Sequence, residues 1–339
     1  MTSVAAVDCG TNAIRLLLVE QDKDGCVHEV ARRMEIVRLG EGVDKNGVFD
    51  ADAIERTRQA LSKYVDIMLT HNVECVRMVA TSASRDADNR DDFFAMTQRE
   101  LSRVIPGSQA EVISGEEEAQ LSFGGAVADL HSSSGPFLVV DLGGGSTELA
   151  LGGSETEQGT SSQNISSGLP HVDDAISLNI GCVRLTERYL HSQPPTEEEI
   201  TAARQCVREQ LDIAFNRLAV DTVHTWVGLA GTFTTIAALA LHLDKYDAAR
   251  IHHSCLSLAQ LQRITDDLIR MTPEQRMDFG PMHPGRADVI GGGAIVVQEL
   301  ASQLNSVCGV TEVVVSERDI LDGLVYGLLH LSLIHISEP

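Results

Sequence analysis

Hydrophobic residues occur in short runs that end in a polar residue followed by glycine, and the clearest run covers 137–140. This run is apolar and β-branched and ends at Asp141, which predicts a buried strand whose last side chain is a carboxylate. Three glycines follow, and Leu149 and Leu151 then alternate with other residues, as in a returning strand. The pattern therefore predicts a tight β-hairpin over 137–151 with a glycine turn at its tip.

The start of the chain repeats this hairpin. There too a short apolar run ends in Asp, and a glycine, small polar residues and a second apolar run follow. The matching positions are Asp8 and Asp141, Gly10 and Gly143, Arg15 and Glu148, Leu16 and Leu149, and Leu18 and Leu151. Repetition of a whole hairpin indicates two related domains. Two such hairpins facing each other across a cleft would grip a phosphate ligand and a metal from both sides.

The turn of the central hairpin suits a phosphate group. Glycines 143–145 permit positive φ angles and expose backbone N–H groups, a run of which can cradle a phosphate. Ser146 adds a hydroxyl donor, and Asp141 and Glu148 place hard oxygen ligands beside the turn, which indicates Mg²⁺. A glycine-rich hairpin without a ligand stays open as the alternative, because three glycines in a turn are common.

Helix and strand patterns alternate after the first hairpin. Apolar residues fall on one helical face over 53–69, a strand is predicted over 73–80, and a helix capped by Asn89 runs to about 104. Arg85 follows that strand among hydroxyl residues, where it can contact a phosphate. A solvated arginine on a helix surface is an equally open interpretation.

Glutamates 116–118 open a helix after the strand that ends at Ser114. Ser114 and Glu117 have the S-x-x-E spacing of a capping box, which explains Glu117 as a helix-start residue. Glu116 suits the positive end of the helix dipole. Glu118 has neither reason, so it is a candidate for orienting and deprotonating a water beside a phosphate. A plain helix-start carboxylate stays open for Glu118.

The second half of the chain adds further candidates. Residues 152–174 are poor in apolar side chains and predict a long loop without assigned chemistry. Thr196 starts a helix with a second capping box. A glycine turn at 228–231 opens a threonine-rich helix start that suits an anion or a nucleotide, although the threonines could simply cap the helix. Arg286, in a polar loop, is a second candidate phosphate contact.

Composition and charge limit the function classes. A chain of 339 residues can hold two domains, and its net charge of −23 argues against nucleic-acid or anionic-membrane partners. The seven cysteines include no C-x-x-C pair, which argues against that type of metal or redox site and favours a reducing compartment. The adjacent His252 and His253 show no metal-ligand spacing and are interpreted as surface or loop residues. With no secretory start and no membrane-length apolar run, we expect a cytoplasmic protein.

Seven motifs follow one another along nearly the whole chain. They are Asp8-x-Gly10-Thr-Asn12-x-x-Arg15, Ala80-Thr-Ser-Ala-x-Arg85, Ile113-Ser-Gly-Glu-Glu-Glu118-Ala, Asp141-x-Gly-Gly-Gly-Ser-Thr-Glu148, Gly231-Thr-x-Thr-Thr235, Gly285-Arg-Ala-Asp-Val-Ile290, and Ser316-Glu followed by Asp322-Gly-Leu-x-Tyr-Gly327. In this order they resemble the exopolyphosphatase/guanosine pentaphosphate phosphohydrolase family of the actin-like ATPase superfamily. Two departures are modest: Thr11 stands where the family usually has Ser, and Asp319 stands where the terminal motif commonly has Gly.

The resemblance implies an α/β fold of two actin-like (ribonuclease H-like) domains, with mixed sheets flanked by helices around a central cleft. It also implies Mg²⁺-dependent hydrolysis of a terminal phosphate, with Glu118 as the base that activates water. The candidate metal ligands are Asp141, Glu148 and Asp8. The candidate phosphate-binding residues are Asn12, Arg15, Arg85, Gly143, Gly144, Gly145, Ser146 and Arg286.

Each of the two domains that the resemblance implies contains one of the hairpins. We expect the first domain over 1–124 and the second over 125–316, with a terminal helix at about 317–331 packing back on the first. Residues 332–339 fit no element and are expected to be a non-native or disordered tail. We expect the short form of the family, without the extra C-terminal helical domains that the long form carries.

Release of the terminal phosphate from inorganic polyphosphate is the expected activity. A guanosine pentaphosphate 5′-phosphatase is the alternative, and a nucleotide- or alarmone-binding sensor with little turnover is a third hypothesis, against which Glu118 argues. Because the chain ends early and carries a charge of −23, we expect short polyphosphates to be preferred and shortened distributively. A homodimer stays open.

Overall fold

The computed structural model describes residues 1–153 and 170–336. The described chain divides into two compact units. The first unit holds residues 1–125 and 320–336, and the second holds 126–153 and 170–319.

The strands are numbered in chain order. They are β1 (Thr2–Cys9), β2 (Ala13–Gln21), β3 (Val27–Ile36), β4 (Cys75–Ala80), β5 (Glu111–Val112), β6 (Phe137–Leu142), β7 (Thr147–Gly152), β8 (Val172–Leu178), β9 (Thr225–Leu229), β10 (Ser254–Ser257) and β11 (Glu312–Val315).

The helices are numbered in the same way. They are α1 (Val43–Asn46), α2 (Ala51–Thr70), α3 (Ser82–Asp86), α4 (Arg90–Leu101), α5 (Gly115–Val127), α6 (Cys182–Tyr189), α7 (Glu197–Arg217), α8 (Ala230–Ala240), α9 (Ala248–Ile251), α10 (Leu258–Arg270), α11 (Pro273–Arg276), α12 (Pro284–Ala287), α13 (Ile290–Cys308) and α14 (Ile320–Ile336).

Strand β1 is central in the sheet of the first unit, whose order is β3-β2-β1-β4-β5. It pairs antiparallel with β2 and parallel with β4. Alternate side chains of a strand point to opposite faces, so Ala5 and Val7 join a core with α2 and α4, whereas Val4 and Ala6 join a core with α14. Because helices cover both faces, β1 is apolar throughout its middle and does not alternate with polar residues.

The second unit contains a sheet of order β10-β11-β9-β6-β7-β8. Strand β6 pairs antiparallel with β7 and parallel with β9. Leu138 and Val140 of β6 lie in a core with side chains of α7, α8, α10 and α13. In the same core, Trp226 of β9 packs edge-to-face on Phe233 of α8, with ring centroids 5.7 Å apart.

The two units repeat one arrangement, in which a hairpin is extended by a parallel strand. Their hairpin turns are also closed alike: the Gly10 amide donates to Ala13 over 2.9 Å, and the Gly143 amide donates to Ser146 over 3.0 Å. The predicted α/β fold class, with two mixed sheets flanked by helices, is confirmed.

Several local predictions can be compared with the structure. Thr196 and its glutamate form the predicted capping box at the start of α7. Asn89 occupies the N-cap position of α4, but its side chain does not cap the helix and instead exchanges two hydrogen bonds with the backbone of Phe49. Helix α14 continues over residues 332–336, beyond its expected end at about 331.

The remaining tail residues, 337–339, lie outside the described residues, as does most of the predicted 152–174 loop. Within the described chain, no helix combines the length and the apolar character that crossing a bilayer requires.

The packing of α14 on α5 yields a test with an internal control. A Cβ at Gly323 would overlap the carbonyl group of Leu121, whereas a Cβ at Gly327 of the same helix would meet nothing within 4 Å. We expect Gly323→Ala to lower the free energy of unfolding by about 1–3 kcal/mol through overpacking. Gly327→Ala should leave it unchanged or raise it by up to about 1 kcal/mol, because Ala favours helix. Urea denaturation measures both, and equal behaviour of the two variants would contradict this packing.

Candidate active site

Within each of the two matching hairpins, two ionisable side chains lie opposite each other on the paired strands, near the end of β1 or β6. Asp141 pairs with Glu148 in the second unit, and Asp8 pairs with Arg15 in the first. Side chains of directly paired residues lie on the same face of an antiparallel sheet. The register thus confirms the two hairpins that the sequence predicts, with these residues at matching positions. The two residues of the pair carry like charges in the second unit and opposite charges in the first.

The carboxylates of the second unit are buried. Asp141 is 6% exposed and Glu148 is 1% exposed, and the Ser177 hydroxyl donates to Glu148 over 2.7 Å. Like charges directly opposite each other destabilise a sheet, and loss of water increases that cost. A divalent cation would offset both effects, and carboxylate oxygens are ligands that Mg²⁺ prefers. The donor set therefore fits a divalent cation.

The glycine turn between β6 and β7 is held by the first turn of α6. The amides of residues 182–184 donate to the carbonyl oxygens of Gly143 and Gly144 over 2.9–3.1 Å. Among residues 1–153 and 170–336, no backbone carbonyl accepts a hydrogen bond from the amide of Gly144 or Gly145. The carbonyl side of this turn is thus bound by protein, and its amide side can bind an anion.

Arg184 also holds this turn, a role that its position in the sequence does not indicate. Its Nε donates to the carbonyl oxygen of Gly145 over 2.6 Å. Gly181 permits the close approach, because a Cβ there would overlap the carbonyl group of Gly144 and lie 2.7 Å from the Gly145 nitrogen. In the sequence, Gly181 to Arg184 form a short run after a strand. Nothing in this run indicates that α6 packs against the glycine turn.

Arg286 lies against the start of α8. Its Nη1 donates to the Thr235 hydroxyl over 3.2 Å, and a Cβ at Gly231 would lie 2.5 Å from its Cζ atom. Leu229 stands at the N-cap of α8 without a side-chain cap, and Ala230 is held at a φ of 69°, which is strained for a residue other than glycine. A helix start beside a guanidinium group suits the anion that the glycine turn at 228–231 predicts.

The charge of Arg286 reaches neighbouring titratable groups. Burial raises the pKa of the Cys182 thiol to about 11, and Arg286 works in the opposite direction. Burial also lowers the pKa of His283 below its ordinary value, and Arg286 adds to that shift. Cys182 begins α6, so Arg286 lies within electrostatic reach of the helix that holds the glycine turn.

In the first unit, Arg15 binds the side chain with which it is paired. Its Nε and Nη2 donate to Oδ2 of Asp8 over 3.0 and 2.7 Å. Arg15 was predicted to contact phosphate and Asp8 to bind metal, whereas in this state they bind each other. Because the guanidinium neutralises Asp8, this carboxylate is a weaker candidate metal ligand than Asp141.

Asn12 lies at the tip of the first hairpin, at the position that matches Gly145. Its carbonyl oxygen accepts hydrogen bonds from the amides of Val37 and Arg38 over 3.0 and 2.9 Å. The loop after β3 therefore fixes the backbone of this turn from its carbonyl side, as α6 does in the second unit.

Arg85 and Glu118 are joined in the first unit. Arg85 donates from Nη1 to Oε2 of Glu118 over 2.9 Å and to the carbonyl oxygen of Ile113 over 3.0 Å. Glu118 is 9% exposed. Arg85 is therefore not a solvated surface arginine. Two residues that the sequence singled out separately form one ion pair, and that pair fixes the Glu118 carboxylate.

The capping interpretation of Glu117 is half right. The amide of Glu117 donates to the Ser114 hydroxyl over 3.1 Å, as a capping box requires. The Glu117 carboxylate does not turn back to the helix start, because Arg77 binds it over 2.7 Å. Arg77, on β4, also binds Glu111 over 2.6 Å. Glu117 therefore has a structural partner of its own, distinct from that of Glu118.

Comparison with known proteins places the chain in a family. Residues 18–331 match the family model described as the Ppx/GppA phosphatase family. The chain belongs to this family. Exopolyphosphatase 2 of Mycobacterium tuberculosis is 53% identical over 331 residues, which are 97% of this chain and 99% of that relative.

Solved structures agree with the Ppx/GppA membership. An exopolyphosphatase-like protein matches with a TM-score of 0.85 and 38% identity, over 97% of this chain and 99% of that one. The Ppx/GppA enzyme of Aquifex aeolicus matches with a TM-score of 0.74 and 31% identity, over 96% of this chain and 99% of that one.

This Ppx/GppA chain also contains a histidine cluster that the sequence did not predict. His252 and His253 contact the two oxygens of Asp129 over 3.1 and 3.3 Å, and Arg318 binds the same carboxylate over 3.1 Å. The Glu317 amide donates to Nδ1 of His252 over 3.2 Å, so the neutral ring carries its proton on Nε2 and donates it to Asp129. With both of its nitrogens engaged, His252 has no lone pair for a metal, and we interpret the cluster as structural.

Electrostatics agree with that interpretation. Burial lowers the pKa of His252 below its ordinary value, although the hydrogen bond to Asp129 works in the opposite direction. Burial acts to raise the pKa of Asp129, but the His252 hydrogen bond and the Arg318 charge outweigh it and hold that pKa below its usual range. The cluster is therefore a neutral histidine on an ionised carboxylate that an arginine stabilises.

Proposed function

We propose that this chain is an exopolyphosphatase, which releases the terminal phosphate of inorganic polyphosphate. The observation that carries the proposal is the glycine turn: α6 binds its carbonyl oxygens, and the amides of Gly144 and Gly145 remain available beside the buried carboxylates of Asp141 and Glu148. The 53% identity to a relative named Exopolyphosphatase 2 supports the choice of substrate.

Hydrolysis of a phosphoanhydride depends mainly on positioning and on neutralising charge. In our proposal, the amides of Gly144 and Gly145, the Ser146 hydroxyl and Arg286 bind the terminal phosphate in the second unit. In the first unit, Arg15 and Asn12 are candidate phosphate-binding residues. An available amide side, a helix start and a guanidinium group support this assignment, because each favours an oxyanion.

We assign the proton transfer to Glu118. A water oxygen forms the new bond to phosphorus, the water proton passes to Glu118, and the shortened polyphosphate leaves with the electron pair of the broken anhydride bond. Arg85, which donates to Glu118 over 2.9 Å, orients this base. A phosphate that attracts Arg85 would weaken the pair and raise the proton affinity of Glu118, so substrate binding would activate the base.

We infer that the divalent cation is Mg²⁺, held by Asp141 and Glu148, with Asp8 as a weaker third candidate. When bound, the cation supplies positive charge that stabilises the phosphate oxygens. Two buried carboxylates on one face of the sheet support this inference, since they favour a hard cation with oxygen ligands.

Phosphate release from a defined set of substrates tests the function. The set is tripolyphosphate, polyphosphates of increasing length, guanosine pentaphosphate and ATP, each with Mg²⁺. We expect the fastest release from short polyphosphates, because the net charge of −23 repels each distal phosphate that no arginine contacts. Faster release from guanosine pentaphosphate would replace the proposal with the pentaphosphatase alternative. Binding without release from any of these substrates would favour a sensor.

Replacing the proposed base tests the mechanism. Glu118→Gln keeps the size of the side chain but removes its proton acceptor, so we expect kcat to fall by about 10²–10⁴-fold with KM nearly kept. Glu117→Gln is the matched control on the same helix turn. It should reduce stability through its contact with Arg77 and leave kcat within a few-fold. If Glu118→Gln retains turnover within a few-fold of the unmodified chain, Glu118 is not the base.

A magnesium titration tests the metal assignment. Asp141→Asn turns a charged oxygen ligand into a neutral one, so we expect half-maximal activity to require roughly tenfold or more additional Mg²⁺. Asp174→Asn is the control, because it removes a carboxylate of the same unit that binds Arg217 instead. Superimposable titration curves for Asp141→Asn and the unmodified chain would remove Asp141 from the metal site.

A further inference from the structure

The orientation of the phosphate-binding amides follows from contacts on the opposite side of the glycine turn. In a planar trans peptide, the carbonyl of one residue and the amide of the next point in opposite directions. Fixing the carbonyl oxygens of Gly143 and Gly144 therefore also fixes the amides of Gly144 and Gly145. Fixing the carbonyl oxygen of Gly145 fixes the amide of Ser146.

The first turn of α6 fixes all three carbonyl groups. Its backbone amides bind those of Gly143 and Gly144, and the Arg184 side chain binds that of Gly145 over 2.6 Å. The third contact differs from the others because it comes from a side chain that carries a full charge. Glycine would otherwise leave this backbone among the most flexible in the chain.

We propose that Arg184 is a positioning residue for phosphate binding, which orients and polarises the last peptide of the glycine turn from behind. This inference rests on the proposed function, since it assigns the amide side of the turn to phosphate. A charged donor on a carbonyl oxygen increases the dipole of the whole peptide, so the N–H group of that peptide becomes a stronger donor. Arg184 thereby acts on the phosphate through the Gly145–Ser146 peptide and not by direct contact.

Close packing around α6 supports this role. Gly181 brings the helix start against the turn, where a Cβ would overlap the carbonyl group of Gly144. On the other side of α6, Cβ atoms at Gly292 and Gly293 of α13 would lie 2.6 Å from the Thr186 hydroxyl oxygen and 3.2 Å from the Cys182 Cβ. The helix is therefore confined between α13 and the turn, which holds the backbone of Arg184 in place.

An arginine suits this task better than a lysine. The donor is the Nε–H group, which lies within the planar guanidinium and is oriented by the side chain. A lysine would supply the charge on a flexible stem, without a planar group to orient the peptide. The conservative substitution therefore separates the charge of Arg184 from its geometry.

The experiment compares Arg184→Ala, Arg184→Lys and Arg188→Ala in the full chain with Mg²⁺. Arg188 is an exposed arginine in the last turn of the same helix, so Arg188→Ala removes the same charge without touching the glycine turn. Calorimetry measures the Kd of inorganic phosphate, and steady-state kinetics with tripolyphosphate give KM and kcat. Thermal unfolding of the ligand-free variants shows whether each one folds.

We expect Arg184→Ala to raise the Kd of inorganic phosphate and the KM about tenfold, with kcat within about threefold, because the amides contribute binding before and during the reaction. Arg184→Lys should recover only part of this loss, and Arg188→Ala should change Kd by less than about twofold. A midpoint of unfolding close to that of the unmodified chain would exclude a general loss of structure. If Arg184→Ala does not fold, the Kd of inorganic phosphate in Arg184→Lys is the deciding measurement: a raised value supports the inference and an unchanged value contradicts it.

Two results would overturn the inference. One is an unchanged Kd of inorganic phosphate in both Arg184 variants, and the other is an equal change in Arg184→Ala and Arg188→Ala, which would reflect the overall charge of the helix alone. Failure of the proposed function is a separate result. A chain that releases no phosphate from any polyphosphate, yet loses phosphate affinity in Arg184→Ala, would refute the exopolyphosphatase assignment and retain the role of Arg184.

Discussion

Cross-strand register is the constraint on which the candidate site depends. Asp141 and Glu148 lie on one face because they pair directly across β6 and β7, and a slip of one residue would move one of them to the opposite face. The same register places Asp8 opposite Arg15 in the first unit. In each unit the hairpin also ends in a turn whose carbonyl side is bound by another part of the chain. Register and turn together fix the positions of the charged side chains at the end of each hairpin.

The two units use this shared arrangement differently. In the first unit, arginines neutralise the carboxylates, through Arg15 on Asp8 and Arg85 on Glu118. In the second unit, two carboxylates face each other, and within the described part of the chain no backbone carbonyl binds the amides of Gly144 and Gly145. Two of the three arginines predicted to bind phosphate, Arg15 and Arg85, therefore already hold anionic side chains. A phosphate would have to compete for them, which links substrate binding to the state of Glu118 in the proposed mechanism.

Local patterns allowed much of the fold to be predicted from the sequence. The hairpins, the Thr196 capping box and the place of Glu118 after a strand depend on residues within one or two turns of each other. Contacts between distant residues could not be predicted, such as Arg184 with Gly145 or the Asn89 side chain with Phe49. Sequence spacing carries no information about which helix packs against a given turn. The partners of these side chains are therefore visible only in the folded structure.

The most direct test of the account is a crystal structure of the Glu118→Gln variant with Mg²⁺ and tripolyphosphate. We expect terminal phosphate oxygens about 3 Å from the amide nitrogens of Gly144 and Gly145, and the metal ion on the Asp141 side of the turn. A terminal phosphate bound away from both amides, with the turn unchanged, would contradict the account.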